Sequence, residues 1–206
     1  MSQAAKELFG ADMPLVGRYV DILISRGIEW GVIGPREADR IWDRHVLNSV
    51  AVAHLIGAAD SVVDVGSGAG LPGIPLAILR PDLSVTCVEP LQRRAAFLEL
   101  AVEELGLGDR VSVVRARAEE LAGPGHLRYA TVASRALAPL GRLIGWCAPL
   151  MAVGGQIMAI KGRSAAEELN RDRPVLDRWS LTATVIPCPV AGSDEPTYAM
   201  VATSCA

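Results

Sequence analysis

The spacing of apolar residues changes character near residue 60. Before it, Val16, Tyr19, Val20, Leu23 and Ile24 recur at three- and four-residue intervals, one apolar face of a helix. Gly27 and Gly31 punctuate its end. A second helical stretch is predicted over residues 35–56, with Pro35 at a first helical position. In an α-helix Arg36, Arg40 and Arg44 would share one face, with His45 beside them and Asn48 continuing the row. Glu37, Asp39 and Asp43 are interleaved, which also suits a solvated face. After residue 60 short apolar runs alternate with helical patterns. Strands are predicted at 62–65, 84–88, 111–114, 129–133, 155–160, 180–187 and 196–202. Helices are predicted at 73–79, 91–105, 139–151 and 164–176, with at most a short one at 117–121. Such alternation implies a parallel sheet covered by helices on both faces. The last two strands leave no room for a helix between them, so they form an antiparallel hairpin at its edge.

The most informative stretch is Asp64 to Gly73, which reads DVGSGAGLPG between the first strand and a helix. Glycines there permit positive φ and remove the Cβ atoms that would hold a ligand away. The turn has two registers. Gly66 to Gly70, led by Asp64, has the form that binds a nucleoside-bearing cofactor such as S-adenosylmethionine. Gly68 to Gly73 also satisfies the dinucleotide pattern GxGxxG. Glu89 ends the next strand, where a carboxylate accepts hydrogen bonds from ribose hydroxyls of either cofactor. Pro72 removes an amide donor where a pyrophosphate would want one, which disfavours a nicotinamide dinucleotide. The edge hairpin also favours a methyltransferase. Asp64 is then expected near a cationic sulfonium and amino group, or else as a stabiliser of the turn. Ala118 and Glu119 are placed to border an adenine.

Composition narrows the setting. Half of the 206 residues are hydrophobic, enough for the core of one domain with an added subdomain. No run of about 18 apolar residues occurs, and residues 1–10 lack an apolar signal core, so a cytoplasmic protein is expected. Four cysteines are widely spaced without a CxxC pair, which reads as free thiols. His45, His54 and His126 are too scattered for a metal site. A net charge of −3 does not advertise nucleic-acid binding. The basic residues are nearly all arginine, with Lys6 and Lys161 the only lysines. Aromatic residues are scarce, and Trp42, Trp146 and Tyr198 are the candidates to stack a base, Trp146 reading more as core.

Four segments together are more specific than any glycine pattern. The run WDRHVLNS from Trp42 to Ser49, the turn from Asp64 to Pro75, Ser134-Arg135-Ala136, and Lys161-Gly162 are similar to the bacterial ribosomal small-subunit methyltransferase G family, also called glucose-inhibited division protein B. The resemblance covers roughly residues 15–190. It implies the class I S-adenosylmethionine-dependent methyltransferase fold, Rossmann-like and α/β. The expected sheet is mostly parallel and seven-stranded with an antiparallel C-terminal hairpin, behind an N-terminal helical extension. The implied division is residues 1–60, a candidate for RNA docking, and residues 61–206, the cofactor-binding domain. The implied activity is methylation of N7 of a guanosine in the decoding-centre loop of 16S ribosomal RNA. The partner is that RNA or the small ribosomal subunit. A monomer is expected, with no membrane, no obligate protein partner and no metal. Gly66, Leu71, Ala118, Glu119 and Arg135 match the family's cofactor-contacting residues, and Arg135 and Lys161 its basic residues on the RNA side. With the residues read above, the expected cofactor set is Asp64, Gly66, Ser67, Gly68, Leu71, Glu89, Ala118, Glu119 and Arg135. The expected RNA set is Arg44, His45, Arg135, Lys161 and Arg163. The chain departs from the family at Asn48, where Asp is usual, and over residues 31–36.

Guanine N7 carries a lone pair and no proton at neutral pH, so no general base is required and no catalytic residue is assigned. Arg135 and Lys161 are expected to position the base or its phosphates. Two alternatives stay open: a methyltransferase acting on a small molecule, which needs no basic rim, and, more distantly, a nicotinamide oxidoreductase. Convergence of Arg44, Arg135, Lys161 and Arg163 at the pocket mouth favours RNA.

Overall fold

A computed structural model describes residues 3–123 and 125–205. Residues 1, 2, 124 and 206, which belong to the expected division, lie outside the described residues. Seven strands form one sheet: β1 (Ser61–Val65), β2 (Ser84–Val88), β3 (Val111–Val114), β4 (Tyr129–Arg135), β5 (Met151–Lys161), β6 (Leu181–Cys188) and β7 (Thr197–Ser204). Their order across the sheet is β3-β2-β1-β4-β5-β7-β6. The first five run parallel, with Ser61 opposite Ser84 and Val63 opposite Val132. β7 runs antiparallel between β5 and β6. This is the class I methyltransferase sheet expected above, hairpin included. The chain direction reverses its winding between β1 and β4, so the C-terminal ends of those strands open a crevice there.

Alternation along β1 assigns the two cores. Val62 and Asp64 turn to one face, Val63 and Val65 to the other. The first face packs against α1 (Gln3–Phe9), α2 (Met13–Ile22), α3 (Asn48–Val50), α4 (Gly73–Leu79) and α5 (Gln92–Leu105). The second packs against α6 (Leu140–Cys147) and α7 (Ala165–Arg178). The N-terminal helices therefore share a core with the sheet. Tyr19 and Phe97 are wholly buried there, and Trp30 meets Phe97 edge to face with ring centroids 6.3 Å apart. Burying each such ring stabilises the fold by about 2–3 kcal/mol.

Several expected elements differ in detail. Residues 35–56 do not form one α-helix. Pro35–Arg40 winds as a 3-10 helix, Ile41–Leu47 as a wide π-type turn, and Ala53–Leu55 as another 3-10 turn after α3. A 3-10 helix advances about 120° per residue, so Arg36, Arg40 and Arg44 do not share a face. The change of pitch turns Ile41, Val46 and Leu47 into the core instead. The helix expected over 139–151 stops at Cys147, because Pro149 donates no amide, and β5 begins at Met151, before the expected strand. No helix among the described residues is long and apolar enough to cross a membrane.

Candidate functional site

The glycine turn leaves β1 and is tied to its neighbours almost wholly through backbone. Gly66 and Ser67 donate their amides to Val88 O at 2.9 and 3.1 Å. Ser67 Oγ donates to Asp64 O at 2.8 Å. From below, Asp64 Oδ2 accepts the Gly73 amide at 3.0 Å, at the start of α4. A Cβ on Gly73 would stand 2.9 Å from that same oxygen, so only glycine lets the carboxylate reach the helix start. From the N-terminal segment, the buried Tyr19 hydroxyl donates to Ala69 O at 2.8 Å.

Two acids serve the turn in different ways. Asp64 is completely buried, and its Oδ1 has no hydrogen-bond partner among the described residues. Burial pushes its carboxyl up to about 6, against the pull of the Gly73 amide. Its observed contacts are those of a turn stabiliser. Glu89, only 2 % exposed, accepts the Gly68 amide on Oε2 and the Leu91 amide on Oε1, both at 3.0 Å. Each carboxylate oxygen takes two hydrogen bonds, so one lone pair on each remains.

Beside an open hollow of about 600 Å³ between residues 136–139, Lys161 and Glu168, three further hollows meet at this end of the sheet. An apolar slot of about 90 Å³ lies between Val65, Val88, Pro90, Ala118, Leu137 and Trp146, with Arg117 and Glu119 at its rim. Gly66 floors it. With φ +73° and a virtual Cβ 2.5 Å from Leu137 Cδ1, this position has no room for a side chain as the loop stands. A cavity of about 400 Å³ runs along the turn past Gly66, Ser67, Gly68 and Leu71, and its far wall is Val32, Ile33, Gly34 and Glu37. A third hollow, of about 370 Å³, collects Arg44, His45, Asn48, Arg135, Lys161 and Arg163. Arg135, His45 and Ala136 line both of the last two hollows and join them.

The four cations expected at the mouth converge there, and three of them are already paired with acids. Arg44 Nη1 pairs with Glu37 at 3.2 Å. Lys161 Nζ lies 2.9 Å from Glu168 Oε2 and donates to Ala138 O at 2.9 Å, with its side chain only 10 % exposed. Arg163 pairs with Glu195 and is 74 % exposed. Among the described residues Arg135 has no acid partner. It reaches back to the N-terminal segment, donating from Nη1 to Arg44 O at 3.0 Å and from Nη2 to His45 Nδ1 at 2.6 Å. His45 O and Asn48 Oδ1 are weaker acceptors, at 3.4 and 3.5 Å, and the Asp expected at position 48 would carry charge there.

The structure thus gathers the expected cofactor and RNA residues around one crevice, except that Asp64 lies beneath it and Glu89 lies buried behind the turn, lining none of the hollows. Sequence reading missed Leu137, the wall formed by residues 32–34, and Glu37, and it gave Trp146 to the core. Trp146 packs against the second core and also faces the slot. Glu37 had been one of the interleaved acids of a solvated face. Only the 3-10 pitch at residues 35–40 shows that it turns inward.

A family model described as rRNA small subunit methyltransferase G matches residues 12–194. The chain is 52% identical over 182 residues to the ribosomal RNA small subunit methyltransferase G of Salinispora tropica, covering 86% of this chain and 75% of that one. It is 53% identical over 176 residues to the protein of the same name from a Nocardioides species, covering 85% and 69%. Among solved structures, the fold resembles an O-methyltransferase from neocarzinostatin biosynthesis in complex with S-adenosylmethionine, with TM-score 0.64, 18% identity and 87% of this chain covered against 60% of that one. It also resembles the precorrin-6y methyltransferase of Geobacter metallireducens, with TM-score 0.54, 14% identity and coverage of 84% and 91%. The structural likenesses establish the fold, and the half-identical relatives establish the rest: the chain belongs to the rRNA small subunit methyltransferase G family.

Proposed function

We propose that the protein methylates N7 of a guanosine in the decoding-centre loop of 16S ribosomal RNA, with S-adenosylmethionine as donor, acting as a monomer in the cytoplasm. The observation that carries this reading is the junction at Arg135 and Ala136, where a glycine-floored cavity meets a hollow lined by Arg44, Arg135, Lys161 and Arg163. A small-molecule enzyme has no need of four cations beside its donor pocket.

The residues present fit the donor. The slot beside Leu137 is small and largely apolar, suited to an adenine, with Ala118 as a wall and Glu119 at the rim. The spare lone pairs of Glu89 suit ribose hydroxyls. Gly66, Ser67, Gly68 and Leu71 line the cavity where the amino-acid portion would lie. When bound, S-adenosylmethionine supplies a methyl group activated by a positive sulfur. The chain's own task is placement. N7 has no proton to remove, so Arg44, Arg135 and Arg163 hold RNA, Lys161 shapes the hollow from its pair with Glu168, and the crevice fixes the angle of approach, an orientation effect. The helical segment of residues 1–60 contributes Arg44, His45 and the wall at 32–34, and docks the RNA.

Label transfer from methyl-labelled donor to small ribosomal subunits tests this directly. Digestion to nucleosides should place the label on 7-methylguanosine. Label on another nucleoside would overturn the position, and label absent from RNA would overturn the substrate.

A further inference from the structure

His45 sits between an acid and a guanidinium. Its Nε2 lies 2.7 Å from Glu37 Oε2, and its Nδ1 lies 2.6 Å from Arg135 Nη2. A carboxylate can only accept and a guanidinium can only donate. One state of the ring satisfies both: neutral, with the proton on Nε2 donated to Glu37 and Nδ1 accepting from Arg135. Arg135 Nη1 is meanwhile tied to Arg44 O at 3.0 Å and to His45 O at 3.4 Å. The guanidinium is thus gripped at one end, at the junction of the two hollows.

We propose that Glu37 and His45 are positioning residues, which hold Arg135 so that its remaining donors meet an oxygen of the RNA acceptor at the junction. The inference rests on the methyl-transfer reading above. It also gives the reaction a pH limit. A second proton on His45 would set an Nδ1–H against the Arg135 N–H and a cation against a cation. Burial opposes that proton first, and Arg135 and Arg44 oppose it by charge, while Glu37 favours it; the net effect lowers the imidazole below its ordinary 6.5. Lys161 and Arg163, with Glu195, face the same hollow, and Arg94 faces the cavity beside it. Activity should therefore fall on an acid limb that lies on the acid side of the ordinary imidazole range.

The test is a double-mutant cycle on methyl transfer to small ribosomal subunits, followed across pH. H45A should lower kcat/KM about tenfold, in the range of coupled neighbours. R135A should lower it at least as much, and the H45A/R135A pair should be no worse than R135A within about twofold, because His45 acts through Arg135. H45A should also lose the acid limb, and E37Q, which keeps an acceptor, should retain more activity than E37A. Losses that multiply in the double variant, or an acid limb intact in H45A, would overturn the relay. Nitrogen shifts of histidine-labelled protein separate this from failure of the functional reading. They should show Nδ1 unprotonated and Nε2 protonated at neutral pH. The opposite tautomer would overturn the relay whatever the enzyme methylates.

Discussion

The glycine turn and the cationic hollow are neighbours held by opposite means. The turn is a backbone object: its amides go to Val88 O and to the buried carboxylates of Asp64 and Glu89, all within thirty residues of sequence. The hollow is a side-chain object, assembled where Arg135 reaches across 90 positions to the carbonyl and ring of His45. The turn shapes a ligand by what is missing from it, the Cβ atoms. The hollow does so by charges that are present, three of them already paired with acids. A turn of this kind fails when anything is added. The hollow fails when something is removed, and by a smaller factor at each residue.

The sharpest way to break that comparison is to add atoms to the turn. Gly66→Val would place a β-branched residue at φ +73° and a Cβ against Leu137. Positive φ for such a residue costs about 1–3 kcal/mol before any ligand is considered. Donor affinity measured by calorimetry should fall more than about 100-fold, some 3 kcal/mol. Adding L137A should restore space but not φ, and so recover only part of the loss. Unaltered affinity would move the donor away from this turn.

Asp64 gives the next effect, on stability. Its carboxyl titrates near 6 when folded and at 3.8 when not, so between these values the folded state holds the extra proton. Stability from this group therefore declines as pH rises from about 4 to 6 and stays low above that. About two units correspond to about 3 kcal/mol at most, discounted for relaxation to roughly 2. D64N keeps an oxygen for the Gly73 amide and removes the buried charge. It should melt higher than the parent at pH 8, with the gap closing near pH 4. A lower melting temperature at pH 8 would mean that Oδ1 has an unseen partner in solution.

This contrast also explains what was legible in the sequence. The parallel sheet and the closing hairpin followed from the alternation of short apolar runs with helical patterns; the order of the strands did not, and β1, buried on both faces, carries no polar alternation. The turn was legible because its function is local: DVGSGAG names its own φ angles. Glu37 was not legible, because a 3-10 turn at 35–40 and a wide turn at 41–47 have no sequence period that distinguishes them from an α-helix. The pairing of Lys161 with Glu168 was not legible either: strand and helix were expected next to each other, but which side of α7 faces the end of β5 is set by packing.

Lys161 and Arg163 make the smallest and most discriminating pair, because they are two residues apart and differently placed. Lys161 is largely buried beside Glu168, whose carboxyl is pushed up by burial but pulled down by the hydrogen bond and charge of Lys161 together with the Leu140 amide and the Ser164 hydroxyl, with a net lowering. Removing the lysine strands that acid, so K161M should lower stability by about 1–2 kcal/mol, less than for a fully buried pair because Glu168 retains some access to water. Arg163 is exposed, and its pairing with Glu195 contributes little to the fold. R163A should leave the melting temperature unchanged. If RNA phosphates replace Glu195 as its partner, R163A should reduce the slope of log affinity against log salt by about 0.7, the release of one counterion from single-stranded RNA. K161M should leave that slope alone, because its charge is committed within the protein. A slope that falls with K161M and not with R163A would reverse the two roles and make the Glu168 pair a latch that RNA opens.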